Sequence, residues 1–135
     1  PLAYGDENYG RLIEREARKR FPAVEVQKEK LDSLSYYKKL TEVACCIINV
    51  RVQQGLGNII ALVWMGAKVF LDEESSTYKD FHNWGIHVFS IQKDLNLREL
   101  STKLSESEIE NNKSIMFKIC NENTVKQYWD KILAS

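Results

Sequence analysis

The segment Gln53-Gln54-Gly55-Leu56-Gly57-Asn58 joins an apolar run to a strongly periodic helix pattern. Gly55 and Gly57 lack a Cβ atom, so their backbone can approach a bound group closely and can adopt positive φ angles. The first N–H groups of the following helix have no partner within the helix, and its start carries a partial positive charge. We therefore predict that this turn binds a diphosphate.

Side chains near the glycine turn can add hydrogen-bond donors. Gln53, Gln54 and Asn58 carry amide groups, and Arg51 supplies the one full positive charge nearby. Two adjacent glutamines before a glycine turn have no clear packing purpose, which favours a role in binding. A G-x-G turn after a strand is by itself a weak signal, because many such turns serve only to bend the chain tightly.

The turn differs from two other phosphate-binding motifs. A dinucleotide fingerprint has a third glycine where this chain has Ile60, and we expect no acidic ribose ligand at the end of the next strand. A P-loop requires Gly-Lys-Ser/Thr, which occurs nowhere in the chain. These differences argue against a nucleotide-sugar epimerase and against a kinase-like fold.

Alternating strands and helices must position this turn. Apolar runs predict strands at residues 2–4, 23–27, 43–50, 68–71 and 86–91. Helical spacing and capping residues predict helices at residues 9–20, from Ser33 to about 40, from about 57 to 66, at 77–84, at 105–120, and from Asn121 or Asn123 onward. Residues 92–101 are predicted to form a loop. We expect an α/β fold with an open, mainly parallel Rossmann-like sheet, helices on both faces and a helical tail.

The almost continuously apolar run at residues 43–50 predicts a strand buried on both faces of a parallel sheet, which leads into the glycine turn. We assign residues 1–97 to a nucleotide-sugar-binding domain and residues 98–135 to a helical tail on the same domain. The chain opens with what looks like the end of a strand, so we expect it to be part of a longer protein.

The composition limits the possible partners. Nineteen basic residues balance nineteen acidic ones, and this net charge of zero argues against a general nucleic-acid binder. No apolar stretch approaches the roughly 20 residues of a membrane helix. We expect free, buried thiols and no zinc site, since no CxxC pair occurs among Cys45, Cys46 and Cys120. We expect core positions for Trp64, Trp84 and Trp129, and surface or structural roles for His82 and His87.

Several segments resemble glycosyltransferase family 56, the 4-acetamido-4,6-dideoxygalactose (Fuc4NAc) transferases of enterobacterial common antigen synthesis. The most specific is Val-Gln-Gln-Gly-Leu-Gly-Asn at residues 52–58, with the helix to Gly66 and the strand and polar loop at 67–76. Residues 1–5, 34–40, 85–89 and 94–96 extend the resemblance over residues 1–97. The family has arginine directly before the two glutamines, where this chain has Val52 preceded by Arg51.

The resemblance implies a GT-B architecture, in which two Rossmann-like domains face each other across a cleft. It implies an inverting transferase without an obligatory metal, a TDP-sugar donor and a polyprenyl-diphosphate-linked acceptor at the cytoplasmic face of the inner membrane. This chain would be the carboxy-terminal, donor-binding half. The catalytic base would come from the other domain, so the isolated chain is expected to be inactive and to bind nucleotide weakly.

Further site residues follow from the resemblance. Tyr4 and Gly5, at the end of the first strand, would lie near the phosphates or the sugar. Glu73 and Glu74, after the strand at residues 68–71, would contact the ribose hydroxyls. The competing hypothesis is a non-catalytic nucleotide- or phosphate-binding module of the flavodoxin type. It is disfavoured because the strand at 43–50 ends in Asn49-Val50-Arg51 and offers no phosphorylatable aspartate.

Overall fold

The computed structural model of the protein describes residues 6–27, 29, 31–52 and 55–133, apart from the side chain of Tyr128. The strand predicted at residues 2–4 lies outside these residues, as do four of the predicted site residues, namely Tyr4, Gly5, Gln53 and Gln54. The chain contains two compact units, Pro1–Tyr37 and Lys38–Ser135. The proposed division between residues 97 and 98 stays a prediction.

The first unit contains helix α1, Glu7–Arg20. Asp6 caps it by accepting a hydrogen bond from the Tyr9 N–H at 2.8 Å, and basic residues fill its last turn. The prediction of a strand at residues 23–27 is wrong, because the structure describes all five residues and none is in a strand. Alternating valines do not suffice there, since a strand also needs a neighbouring backbone with which to pair.

Helix α2, Ser33–Thr41, begins one residue earlier than the predicted cap at Ser33 implies. Asp32, rather than Ser33, is the capping residue, because its Oδ1 accepts a hydrogen bond from the Ser35 N–H at 3.0 Å. Leu40 is the only residue of this helix that is buried. It belongs to the second unit, which contains all the remaining elements.

The second unit is built on a parallel three-stranded sheet of order β1-β2-β3. The strands are β1, Cys45–Ile48; β2, Lys68–Leu71; and β3, Phe89–Ser90. Cys45 pairs with Lys68, and Phe70 pairs with Phe89. The expectation of a mixed α/β fold with a parallel sheet is therefore confirmed for the described residues.

The central strand of this sheet is β2, and all four of its residues are buried. The prediction that the strand at residues 43–50 is buried on both faces is wrong, since β1 has only partly buried residues and Ile47 is 48% exposed. Among the described residues, β1 pairs with a strand on one side only, whereas β2 pairs with a strand on each side. One edge of β1 is therefore without a neighbouring strand.

Among its described residues, the unit has five further helices: α3, Leu56–Trp64; α4, Ser76–Asn83; α5, Leu97–Ser101; α6, Glu106–Cys120; and α7, Glu122–Leu133. Helix α3 packs on β2 and on α6, and α6 also packs on α7. Gly66 and Gly85 follow α3 and α4 with φ angles of 84° and 81°, as their predicted role in ending those helices requires. Helix α5 contradicts the predicted loop at 92–101; Asn96 caps it by accepting the Glu99 N–H at 3.0 Å.

The buried apolar core lies in this second unit and contains none of the tryptophans. The prediction of core positions for Trp64, Trp84 and Trp129 is wrong, since they are 43%, 46% and 59% exposed. The largest fully buried side chains are instead Phe70 and Phe81. The expectation of buried thiols fails for Cys120, which is exposed, while Cys45 and Cys46 are half-buried.

Candidate functional site

The carboxyl ends of the three strands meet at one edge of the sheet, because all three strands are parallel. The chain leaves β1 toward Arg51 and the glycine turn, leaves β2 into Asp72 and Glu73, and leaves β3 toward Lys93. We call this edge the carboxyl edge. Of the predicted site residues that the structure describes, Arg51 and residues 55–58 follow β1 in the chain, and Glu73 and Glu74 follow β2.

The glycine turn has the backbone conformation that glycine favours. Gly55 is the N-cap of α3 with φ 66° and ψ 28°, in the left-handed region. No side chain caps the helix, and the Gly55 carbonyl accepts hydrogen bonds from the N–H groups of Asn58 at 2.9 Å and Ile59 at 3.1 Å. Gly57 is not a positive-φ residue; a Cβ placed on it would have no neighbour within 4 Å.

The first amides of α3 are available to a ligand. Gly55, Gly57 and Asn58 are exposed, and Leu56 is half-buried. Within the described part of the chain, no protein group accepts a hydrogen bond from the N–H of Leu56 or of Gly57. These N–H groups lie at the positive end of the helix, where an anion is stabilised.

Arg51 is paired across the edge with a residue that the sequence analysis did not assign to the site. Its Nε lies 3.4 Å from Oδ2 of Asp72, which directly follows β2. An acidic residue therefore does follow that strand, and the expectation that none there binds a ribose stays a prediction. The Glu74 N–H donates to Oδ1 of Asp72 at 2.8 Å. This hydrogen bond and the one from Arg51 hold the pKa of the Asp72 carboxyl below its usual value.

Glu73 joins the end of β2 to the end of β3. Its Oε2 accepts hydrogen bonds from Nζ of Lys93 at 2.8 Å and from Oγ of Ser90 at 3.2 Å. These bonds, chiefly the one from Lys93, lower the pKa of Glu73. The second predicted ribose contact, Glu74, pairs instead with Lys79 of α4 at 3.3 Å, in a surface ion pair.

The carboxyl edge thus has two consecutive carboxylates directly after the central strand, and each forms an ion pair with a basic side chain from a neighbouring loop. Asp72 holds Arg51 after β1, and Glu73 holds Lys93 after β3. The sequence signal for this arrangement was present, because Asp-Glu directly follows the apolar run of β2. Which cation each carboxylate meets depends on the strand order.

Apart from the carboxyl edge, a polar cleft with a volume of about 420 Å³ lies along β3. At one side the buried Lys68 donates to the Glu99 carbonyl at 3.1 Å, to its Oε2 at 2.7 Å and to Oγ1 of Thr102 at 2.7 Å. These three acceptors satisfy the ammonium group completely. Lys68 therefore fastens α5 and the residue after it to the central strand.

An apolar groove of about 360 Å³ runs between α3 and α6. It begins near Gly57 and passes Ile60 and Trp64 of α3 and Phe117 of α6. Phe117 is among the large apolar side chains left exposed. The apolar residues of α3 therefore fall into two sets. Ile59, Leu62 and Val63 are buried, whereas Ile60 and Trp64 line the groove.

No protein-family model matches the chain, and no curated protein or solved structure matches it. The resemblance of residues 1–97 to glycosyltransferase family 56 therefore stays a prediction. No helix in the described part of the chain combines the length and apolar character needed to cross a bilayer. In the same residues no group of three or more His, Cys, Asp or Glu side chains is placed to hold a metal ion.

Proposed function

We propose that the chain binds the diphosphate of a nucleotide sugar at the start of α3 and is the donor-binding half of a glycosyltransferase related to family 56. The observation that carries this proposal is the exposed start of α3, where the N–H groups of Leu56 and Gly57 have no protein acceptor among the described residues. The parallel sheet would be part of a Rossmann-like domain with helices on both faces. Ligands of such sheets bind at the carboxyl edge, where this turn lies.

The proposed chemistry is the stabilisation of a leaving diphosphate. As the bond to the sugar breaks, negative charge grows on the diphosphate, and preorganised N–H donors stabilise it. The backbone of Leu56 and Gly57, the side chain of Asn58, and the predicted donors Gln53 and Gln54 would act without a metal ion. Glu73 remains a candidate for ribose binding, and so does Glu74, which would have to leave Lys79 to reach a ribose.

The wider setting of the proposal comes from the family resemblance. The donor would be a TDP-sugar such as TDP-Fuc4NAc, and the acceptor a polyprenyl-diphosphate-linked oligosaccharide. The full-length enzyme would act at the cytoplasmic face of the inner membrane, with peripheral membrane association and no nucleic-acid partner. The catalytic base would belong to the other domain of the GT-B enzyme.

A titration of the ¹⁵N-labelled chain with TDP and with UDP tests the proposal. We expect the largest amide shifts at residues 53–58. Gly57→Ala should weaken binding at least about tenfold, because the proposed site requires a phosphate to approach the backbone at Gly57 closely and a methyl group would hinder that approach. The variant should keep its fold, since alanine has a higher helix propensity than glycine and the added methyl group has no protein atom within 4 Å.

Gly10→Ala is the matched control, because Gly10 also lies in a helix and a Cβ there has no neighbour within 4 Å. This variant should bind nucleotide as the unsubstituted chain does. Shifts confined to residues outside 53–58, or equal affinity of the Gly57→Ala variant, would contradict the proposed site.

One observation favours the competing assignment, a phosphate-responsive module of the flavodoxin type. Asp72 and Glu73 form an acidic pair at the end of the central strand, where receiver domains place their phosphorylated aspartate. The Asp72 carboxylate is, however, already bonded to Arg51 and to the Glu74 N–H. Addition of Mg²⁺ with acetyl phosphate separates the two functions, since only a receiver domain should respond with shifts at residues 72 and 73.

A further inference from the structure

The pair formed by Arg51 and Asp72 joins a nearly buried carboxylate to an exposed guanidinium. The Asp72 side chain is 6% exposed and the Arg51 side chain 74% exposed. Asp72 is itself held in place, because the Glu74 N–H donates to its Oδ1 at 2.8 Å. A rigid acceptor thus faces a long, flexible side chain.

The atom by which Arg51 makes this contact is informative. Nε is the donor, at 3.4 Å from Oδ2 of Asp72, and within the described residues neither terminal nitrogen of the guanidinium has a hydrogen-bond partner. A guanidinium has five N–H groups in a fixed planar fork. Pairing through Nε therefore leaves four N–H donors on the two terminal nitrogens for another group.

We propose that Asp72 is a positioning residue, which holds Arg51 at the carboxyl edge so that its terminal nitrogens bind the diphosphate of the ligand. This inference rests on the proposed function, because it names the charged group that acts with the first amides of α3. Planar forks of this kind suit phosphate oxygens, which accept two parallel hydrogen bonds. Fixing the side chain in advance removes part of the ordering cost of binding.

The direction in which Asp72→Asn changes the affinity for the diphosphate distinguishes a positioning role from a purely electrostatic effect. Asp72 is negative and lies near the proposed anion site, so its charge by itself opposes the binding of a diphosphate. Asp72→Asn would then strengthen binding if only the electrostatic field mattered. If Asp72 positions Arg51, the same substitution should weaken binding instead.

A double-mutant cycle tests the inference, with dissociation constants for UDP taken from the amide shifts of Gly55 and Gly57 at fixed ionic strength. We expect Arg51→Ala to weaken binding by about tenfold or more and Asp72→Asn by about threefold or more. In the Arg51→Ala background, Asp72→Asn should cause no further loss. Asp80→Asn, on the exposed face of α4, removes the same charge as a control and should leave binding unchanged.

Arg51→Lys supplies a second readout that does not depend on changing Asp72. A lysine keeps the positive charge but has a single ammonium group, which cannot hold Asp72 by one nitrogen and the ligand by others. We expect it to lose nearly as much affinity as Arg51→Ala. Thermal unfolding of every variant checks that each one is folded under the conditions of the binding measurement.

The outcomes separate this inference from the function on which it rests. If the unsubstituted chain binds neither TDP nor UDP, the proposed function is wrong and the positioning role falls with it. If the chain binds but Arg51→Ala or Arg51→Lys binds equally well, only the positioning role is wrong. It is also overturned if Asp72→Asn strengthens binding, or weakens it equally with and without Arg51.

Discussion

The Asn112 side chain of α6 forms hydrogen bonds with the backbone just before β3, as a neighbouring strand would. Its Oδ1 accepts a hydrogen bond from the His87 N–H at 2.7 Å, and its Nδ2 donates to the His87 carbonyl at 3.2 Å. The Asn112 side chain is fully buried, and both its oxygen and its nitrogen are satisfied by the backbone of His87. This contact also explains why β3 is shorter than the predicted strand at residues 86–91.

We predict that Asn112→Leu lowers the free energy of unfolding by about 1–3 kcal/mol, because it removes two hydrogen bonds made by a fully buried side chain. Urea denaturation monitored by circular dichroism measures the loss. Asn111→Leu is the control, since the Asn111 side chain is exposed and makes one hydrogen bond of 3.3 Å, to the Gly85 carbonyl. Equal losses in the two variants would show that the hydrogen bonds of Asn112 are not the cause.

At the scale of the elements, two glycines end helices in the same conformation but in different surroundings. A Cβ on Gly66 would lie 3.0 Å from Cδ1 of Ile109 on α6, whereas a Cβ on Gly85 would lie 3.6 Å from Cδ1 of Ile115. Both residues have positive φ angles, so any substitution strains the backbone. Only at Gly66 does a substitution also collide with a packed helix.

Gly66→Ala should therefore destabilise the protein more than Gly85→Ala. We expect Gly85→Ala to cost about 1–2 kcal/mol from backbone strain and Gly66→Ala to cost about 1–2 kcal/mol more, from overpacking against Ile109. Thermal or urea unfolding of both variants measures the difference. Combining Gly66→Ala with Ile109→Val should recover part of the extra loss, and no recovery would rule out the collision as its source.

At the scale of the whole molecule, carboxylates with lowered pKa values link stability to pH. Glu108 accepts hydrogen bonds from the Ser105 hydroxyl and N–H, both at 2.7 Å, and these lower its pKa. Hydrogen bonds also lower the pKa values of Asp72 and Glu73. Such groups bind protons more weakly in the folded than in the unfolded state, so their stabilisation is complete above the unfolded pKa.

We predict that this stabilisation is lost as the pH falls below about 4.3, the ordinary pKa of a glutamate, and through the lower pKa of folded Glu108. Glu108→Gln can still form the capping box but does not titrate. Melting temperatures between pH 7 and pH 3 should therefore fall less steeply for this variant. Parallel curves for the variant and the unsubstituted chain would exclude a contribution from Glu108.

The sequence predicted the elements whose signals are local. The range of β2 was predicted correctly at residues 68–71, and the helix beginning at the capping box of Ser105 and Glu108 was predicted to its last residue. The G-x-G turn was also correctly placed at the start of a helix. Asp72 was overlooked as a member of the carboxyl edge, although it follows a correctly predicted strand, because its partner Arg51 lies 21 residues away in the chain.

The sequence by itself thus determined where α6 begins and where α3 and α4 end, because a capping box and glycine stops act between residues a few positions apart. Only the tertiary structure decided that β2 rather than β1 is central, that the tryptophans lie at the surface, and that Asp72 meets Arg51. These features depend on which distant segments come together. That choice is set by the packing of the whole core, and no local pattern of residues specifies it.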